Sequence, residues 1–175
     1  MYREQKSETF TRDLYMSYAK QDLDIIRKIK AELDGKGYKT WIDYEFIPPN
    51  TAAKEQLKSK GLLSANVVLV FFSKHYEENQ SCRSELETAI SQKKPIIYVN
   101  VGDGYSPENW IDQLIGSTFY CDISGSNFDL GAAILETHII GKLEALNPLH
   151  KSMPPTSEAV FHRYLSLRTI LEVLR

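Results

Sequence analysis

The chain has 175 residues, enough for one well-cored domain with some residues to spare. Hydrophobic residues at 42% and charged residues at 25% exclude a disordered chain, and 21 Lys and Arg against 23 Asp and Glu leave a net charge of −2, which gives no strong pull toward nucleic acid or an anionic membrane. No apolar run approaches the roughly 20 residues that span a bilayer, the start Met1-Tyr2-Arg3-Glu4-Gln5-Lys6 lacks the apolar stretch of a secretion signal, and two cysteines, Cys82 and Cys121, are too few for a disulfide framework, so a cytoplasmic location is expected.

Residues 1–11 read as a loose polar lead-in. Asp13–Tyr18 is a short buried strand set by its aromatics and the polar break after it. A helix follows, with Asp22 as its cap, Leu23, Ile26, Ile29 and Leu33 at helical spacing, and Gly35 and Gly37 as its stop. Tyr38–Ile42 is the second strand. The run from Asp43 to Asn50 reads as an irregular loop, because Pro48 and Pro49 remove backbone donors and disfavour helix before them. Thr51 is placed to cap the next helix, which runs to about Leu63. Asn66–Phe72, the most apolar stretch, suits the middle of a parallel sheet.

An irregular segment, Ser73–Gln80, leads to a helix over 82–92, then a strand over Pro95–Val101. A short helix near Glu108–Leu114, a fifth strand over Ser117–Cys121 and a helix from about Asn127 to Leu146 complete the alternation. Strand and helix alternating in this way predict right-handed crossovers and a flavodoxin-like three-layer sandwich around a five-stranded parallel sheet. The domain is therefore expected over 12–146. Over 147–175, Asn147-Pro148 and Pro154-Pro155 mark a linker, and Val160, Tyr164, Leu167, Leu171 and Leu174 share one helical face. That helix either packs back on its own domain, or docks on a partner chain or begins a second domain; the pattern suits each.

Four stretches in order resemble the TIR family (Toll/interleukin-1 receptor domains), over about residues 11–146. Asp13-Leu14-Tyr15-Met16-Ser17-Tyr18 resembles the opening Asp-x-Phe-x-Ser-Tyr box, and Gly37–Asp43 the second strand, with 44–51 as the family's BB loop. Leu63–Ser73 resembles the third strand and its lead-in. Ser81-Cys82-Arg83-Ser84-Glu85-Leu86 resembles the Trp-Cys-x-x-Glu-Leu box that opens the following helix. In the NAD-cleaving, bacterial-type branch the Glu of that box is essential, so the resemblance implies that Glu85 is catalytic and that NAD is a substrate, with no separate cofactor. It also implies signalling or immune defence, with homotypic association of TIR domains. Other members have no such activity and act only by association.

Read on its own, Glu85 lies at the edge of a helical arc of Cys82, Leu86, Ala89 and Ile90, near the first turn, where a half-covered carboxylate can face the carboxyl ends of the strands. The alternative needs no chemistry: a Glu in the first turn is favoured by the helix dipole. Cleavage of the nicotinamide–ribose bond has oxocarbenium character and a leaving group that needs no proton. One carboxylate beside the ribose therefore suffices, without the second acid of most glycosidases.

Tyr18, Ala19 and Lys20 in the first strand–helix loop, Trp41 and Asp43 at the end of the second strand, and Ser81 complete the expected substrate contacts. Tyr44, Phe46, Ile47, Pro48 and Pro49 form the expected interaction loop, an exposed apolar surface on a stiffened segment. Ser81 stands where enzymatic relatives carry a stacking aromatic. It suits an N-cap, and Tyr76, Tyr44 or Phe46 are the candidates to supply the missing ring. His75, His138, His150 and His162 show no zinc spacing, so no metal is expected, and no Ser elbow, Gly-rich dinucleotide fingerprint or Walker loop follows any strand. A nucleoside deoxyribosyltransferase, which also sets a Glu against a sugar on a similar sheet, is the third class to separate by assay.

Overall fold

The computed structural model describes residues 12–48 and 50–146; the expected lead-in, the linker with its C-terminal helix, and Pro49 lie outside the described residues. The chain divides into two units, Met1–Leu143 and Glu144–Arg175, and the fold below is that of the first. Five parallel strands, β1 (Arg12–Tyr18), β2 (Thr40–Trp41), β3 (Ala65–Phe72), β4 (Ile96–Asn100) and β5 (Tyr120–Asp122), form one sheet in the order β2-β1-β3-β4-β5. The apolar run Val67–Phe72 makes β3 the centre: every residue in it is at most 1% exposed, and it pairs with β1 on one side and β4 on the other.

Because strand side chains alternate, the sheet sorts its residues into two cores. On one face Leu14, Met16, Val67, Leu69, Phe71, Ile97 and Val99 pack with Ile26, Ile29 and Leu33 of α1 (Leu23–Gly35) and Leu135 and Ile139 of α7 (Phe128–Leu146). On the other, Tyr15, Val68, Val70, Phe72 and Tyr98 pack with Leu62 of α3 (Lys54–Ser64), Leu86 and Ala89 of α5 (Gln80–Ser91), and Ile111 and Ile115 of α6 (Asn109–Ile115). This is the expected three-layer α/β architecture. The strand order reverses between β1 and β3, and in such sheets ligands bind outside the carboxyl ends of the strands at that switch point.

Several local expectations are corrected. The segment after β2 is not wholly irregular: Asp43–Phe46 forms a one-turn helix, α2, ahead of the prolines. A second short helix, α4 (Lys74–Glu77), lies in the segment expected to be irregular, capped by the Ser73 hydroxyl, which accepts from the Tyr76 amide. Thr51 does not cap α3; its hydroxyl donates to the Pro48 carbonyl, and the helix starts at Lys54. Asp22 precedes α1 but caps nothing, because its carboxylate accepts from the Ser73 hydroxyl instead. The second strand is shorter than expected because Tyr38 donates its amide to Leu33 at the end of α1 rather than joining the ladder. β5 starts three residues late because Gly116, at φ 53, and Thr118 are occupied in closing α6.

Candidate active site

Three elements converge at the switch point. β1 ends in Ser17 and Tyr18, α2 opens with Asp43, and α5 carries Glu85. The start of α5 is fixed by Asn79, whose side chain accepts from the amides of Ser81 and Cys82. Asn79, not Ser81, is therefore the N-cap, and Ser81 lies in the first turn. Glu85 comes five residues after Gln80, beyond the turn in which the helix dipole acts. The dipole explanation for this glutamate is thereby removed. Cys82, Leu86 and Ala89 bury the inner face of α5, and Glu85 leaves the helix beside that face.

The Glu85 carboxylate is more enclosed than its position on the arc suggests: its side chain is 9% exposed and both oxygens are engaged. The Ser17 hydroxyl donates to Oε2 at 2.7 Å, and the ammonium of Lys58 on α3 meets Oε1 at 2.5 Å, with the Lys58 side chain 13% exposed. Ser17 is itself buried, and its oxygen lies 2.9 Å from the Tyr76 hydroxyl. The single Ser17 proton goes to Glu85, so the Tyr76 hydroxyl is the donor to Ser17 and shares its proton with the Cys82 carbonyl at 3.2 Å. A relay of Tyr76 and Ser17 thus fixes one oxygen of the Glu85 carboxylate while Lys58 holds the other.

Titration behaviour follows from this crowding. Burial, and then the negative charge of Glu85, hold the Tyr15 and Tyr76 hydroxyls in their neutral form well above the usual tyrosine range. The same two influences push the Cys82 thiol up to about 12, against the pull of Lys58, which makes it an inert thiol. Burial works to discharge Lys58, but the charge and hydrogen bond of Glu85, with Asp43 and Glu55, outweigh it and raise the ammonium above its ordinary value. At neutral pH Lys58 therefore carries its proton.

Tyr18 donates to Asp43 Oδ1 at 2.5 Å, and Asp43 Oδ2 lies 3.9 Å from the Lys54 ammonium. Burial first, then this bond, raises the Tyr18 hydroxyl. Tyr18 and Asp43 are thus in direct contact, Glu85 lies near enough to act on Tyr18, and both carboxylates act on Tyr15. Ala19 is fully buried, and Lys20 is exposed at the head of a one-turn 3-10 helix. Trp41 is not an open stacking platform: it is 7% exposed and stacks on Tyr15 at 4.8 Å and Phe46 at 5.8 Å between ring centroids. Tyr76, fully buried, offers no ring face to a ligand.

In the interaction loop, Tyr44 is 40% and Phe46 37% exposed, and Pro48 is exposed as well. Ile47 is the correction: at 8% exposure it anchors the loop to the core, because the turn of α2 rotates it inward. The loop is held to α1 by Lys30, which meets Glu45 at 3.0 Å and also pairs with Asp34, and by Arg27 over the Tyr44 ring at 5.7 Å.

A groove of about 470 Å³ lies beside α4 and α6, lined by Lys74, Glu77, Tyr105, Glu108, Asn109 and Trp110 among others; Glu85 does not line it. Tyr105 and Asn109 donate to the Glu77 carboxylate, and Trp110 donates to the Glu77 carbonyl. Among the described residues, no group of three or more His, Cys, Asp or Glu side chains is placed to hold a metal ion, and no helix is long and apolar enough to cross a membrane.

The residues that sequence reasoning did not single out are Lys58, Ser17 as a ligand of the carboxylate, and Tyr15 as a wall. Ser17 had a signal, since it lies in the box that resembles the family's first strand. Lys58 had none: its partner is 27 residues away on another helix.

Comparison with known families and structures agrees with this architecture. The family model described as TIR domain matches residues 14–135. A comparison with curated protein sequences finds no match. The TIR domain of the Toll-related receptor TRR-2 from the lower metazoan Hydra magnipapillata superposes with a TM-score of 0.57 at 18% identity, covering 75% of this chain and 98% of that one. The 2-deoxyribosyltransferase from Leishmania mexicana gives 0.51 at 14% identity, over 73% of this chain and 98% of that one. The TIR domains of the activated Roq1 resistosome, which directly recognises the pathogen effector XopQ, align over 94% of this chain and 100% of that one at 17% identity, with a TM-score of 0.42. At these identities the first two show the fold alone.

Proposed function

The chain belongs to the TIR domain family, and from that premise we propose that it cleaves NAD at the nicotinamide–ribose bond, with Glu85 as the catalytic carboxylate and self-association as the trigger. The observation that carries this reading is the Glu85 carboxylate itself: at the edge where the sheet opens, oriented by the Tyr76–Ser17 relay and set among residues that keep it out of bulk water. Such placement preorganises a negative charge for a cation that develops during reaction.

The chemistry is balanced with few parts. The C1′–N bond breaks, its electron pair neutralises the pyridinium nitrogen, and nicotinamide departs without needing a proton. Positive charge grows on C1′ and the ring oxygen of the ribose, and Glu85 stabilises it. Water, or another acceptor with a lone pair, then adds to C1′ and loses a proton. In this reading Tyr18 and Asp43 border the same cleft, and the backbone around Lys20 faces the phosphates.

A second reading, an interaction module without catalysis, is favoured by the half-exposed Tyr44 and Phe46 and by Ser81 in place of a stacking aromatic. Deoxyribosyl transfer, the activity named for the Leishmania mexicana neighbour, is the competing glycosyl chemistry, here between a deoxynucleoside and a free base. One experiment separates all three. Concentrated protein, with and without a crowding agent, is incubated with NAD, or with a deoxynucleoside plus a free base, and products are followed by chromatography. Glu85-dependent loss of NAD supports the proposal. Association without turnover supports the second reading, and base exchange supports the third.

A further inference from the structure

Two lysines of α3 face two carboxylates of other elements. Lys58 meets Glu85 at 2.5 Å, and Lys54, one turn earlier on the same helix, lies 3.9 Å from Asp43. The Lys58–Glu85 pair is nearly enclosed, at 13% and 9% side-chain exposure. Desolvating two charges roughly cancels their attraction, so an apolar pair of similar size would serve stability as well. An apolar pair, however, cannot exchange partners.

We propose that the Lys58–Glu85 ion pair is a placeholder for a zwitterionic ligand, and that Lys58 becomes a phosphate-binding residue when such a ligand enters. The inference rests on the reading of Glu85 as the carboxylate that meets the ribose, and it names what the neighbouring cation does. A pyridinium dinucleotide carries a positive ring on one side of a ribose and a pyrophosphate on the other. Its cation takes over Glu85, the pyrophosphate takes over the released Lys58, and Lys54 stands one turn away to share the second phosphate. No charge is left buried without a counter-charge, which is the condition for opening an enclosed pair. A ligand bearing only one of the two charges breaks the pair and compensates half of it. Ser17 keeps its bond to Glu85 throughout, so the carboxylate stays oriented while Lys58 moves.

Two probes that carry no nicotinamide–ribose bond test this by equilibrium titration. ADP-ribose has the pyrophosphate without the pyridinium, and 1-methylnicotinamide has the pyridinium without the phosphates. In Lys58→Gln, ADP-ribose is expected to bind about tenfold more weakly or worse, the share of one charge-assisted hydrogen bond, while 1-methylnicotinamide binds as well as to wild type or more tightly. Lys58→Arg is expected to keep both affinities near wild type. Lys54→Gln, an exposed and structurally mild change, should weaken ADP-ribose severalfold and leave 1-methylnicotinamide alone; it decides the matter if Lys58→Gln does not fold. Both probes weakening together, or neither changing, overturns the proposal. Turnover of NAD is read separately. The opposed pattern without turnover leaves the exchange standing and removes the enzymatic reading, whereas Glu85-dependent turnover without the pattern removes the exchange alone.

Discussion

Gly61 lies directly against the indole of Trp41: a Cβ built on Gly61 would fall 2.3 Å from Trp41 Cε2. Helix α3 can approach the sheet at that point only because Gly61 has no side chain, and the ring it meets is held by its stack on Tyr15 and Phe46.

Gly61→Ala is therefore expected to destabilise the domain although alanine favours helix. Overpacking costs typically about 1–3 kcal/mol, against roughly 1 kcal/mol of helix propensity gained. With a contact as short as 2.3 Å the overpacking lies at the upper end of that range, so a net loss of up to about 2 kcal/mol is expected in chemical denaturation, recovered in part by pairing it with Trp41→Phe. A gain in stability would show that α3 shifts freely and that the stack is not fixed.

Tyr76→Phe removes the donor to Ser17 and keeps the buried ring. Stability is expected to fall by about 1 kcal/mol, the net worth of an ordinary hydrogen bond. Turnover is expected to fall about tenfold with KM little changed, because the carboxylate loses orientation rather than contact with substrate. Equal losses in kcat and affinity would place Tyr76 in binding instead.

Phe46→Ala is expected to weaken self-association by tenfold or more, in the range of an interface anchor, and to lower monomer stability only modestly, since Phe46 is 37% exposed and stacks on Trp41. Sedimentation over a concentration series measures this. Association unchanged in Phe46→Ala would move the interface elsewhere.

Alkaline pH should erode the fold through the same cluster. The folded Lys58 holds its proton above the ordinary lysine value, so its share of stability is complete below about pH 10.4 and is lost as pH rises through the folded value. Burial likewise keeps Tyr15, Tyr18 and Tyr76 neutral in the folded protein, and burial followed by Glu136 and Asp13 lifts Tyr38 to about 12. The unfolded chain gives up these protons from about pH 10. The unfolding free energy from urea titration is expected to fall above that pH, at up to about 1.4 kcal/mol per pH unit for each proton, and less steeply in Lys58→Met. Identical slopes in the two proteins would show that Lys58 holds no excess proton affinity.

The frame of the fold was legible because local pattern and burial agree there. The unbroken apolar run of β3 announces the central strand, and Ile26, Ile29 and Leu33 at helical spacing are the residues that α1 buries. The side-chain cluster around Glu85 was legible only in part. The arc of Cys82, Leu86 and Ala89 beside Glu85 is readable from spacing, because it is a property of one helix, although Ile90, at the spacing of the same arc, is exposed. The enclosure of Glu85 was not, because Lys58 and Ser17 reach it from elements 27 and 68 residues away in sequence. Ile47 was misplaced for a similar reason: the prolines marked an irregular segment, but one turn of helix before them decides which way each side chain points.

NAD consumption by the assembled protein, compared with that of Glu85→Ala and Glu85→Gln, tests the central claim most directly. The account predicts turnover that rises with concentration or crowding and falls by about a hundredfold to a thousandfold in both variants, the scale on which one preorganised stabilising group contributes to catalysis, with association intact. Turnover that persists in the variants, or that is absent from every assembled state of the wild type, would contradict it.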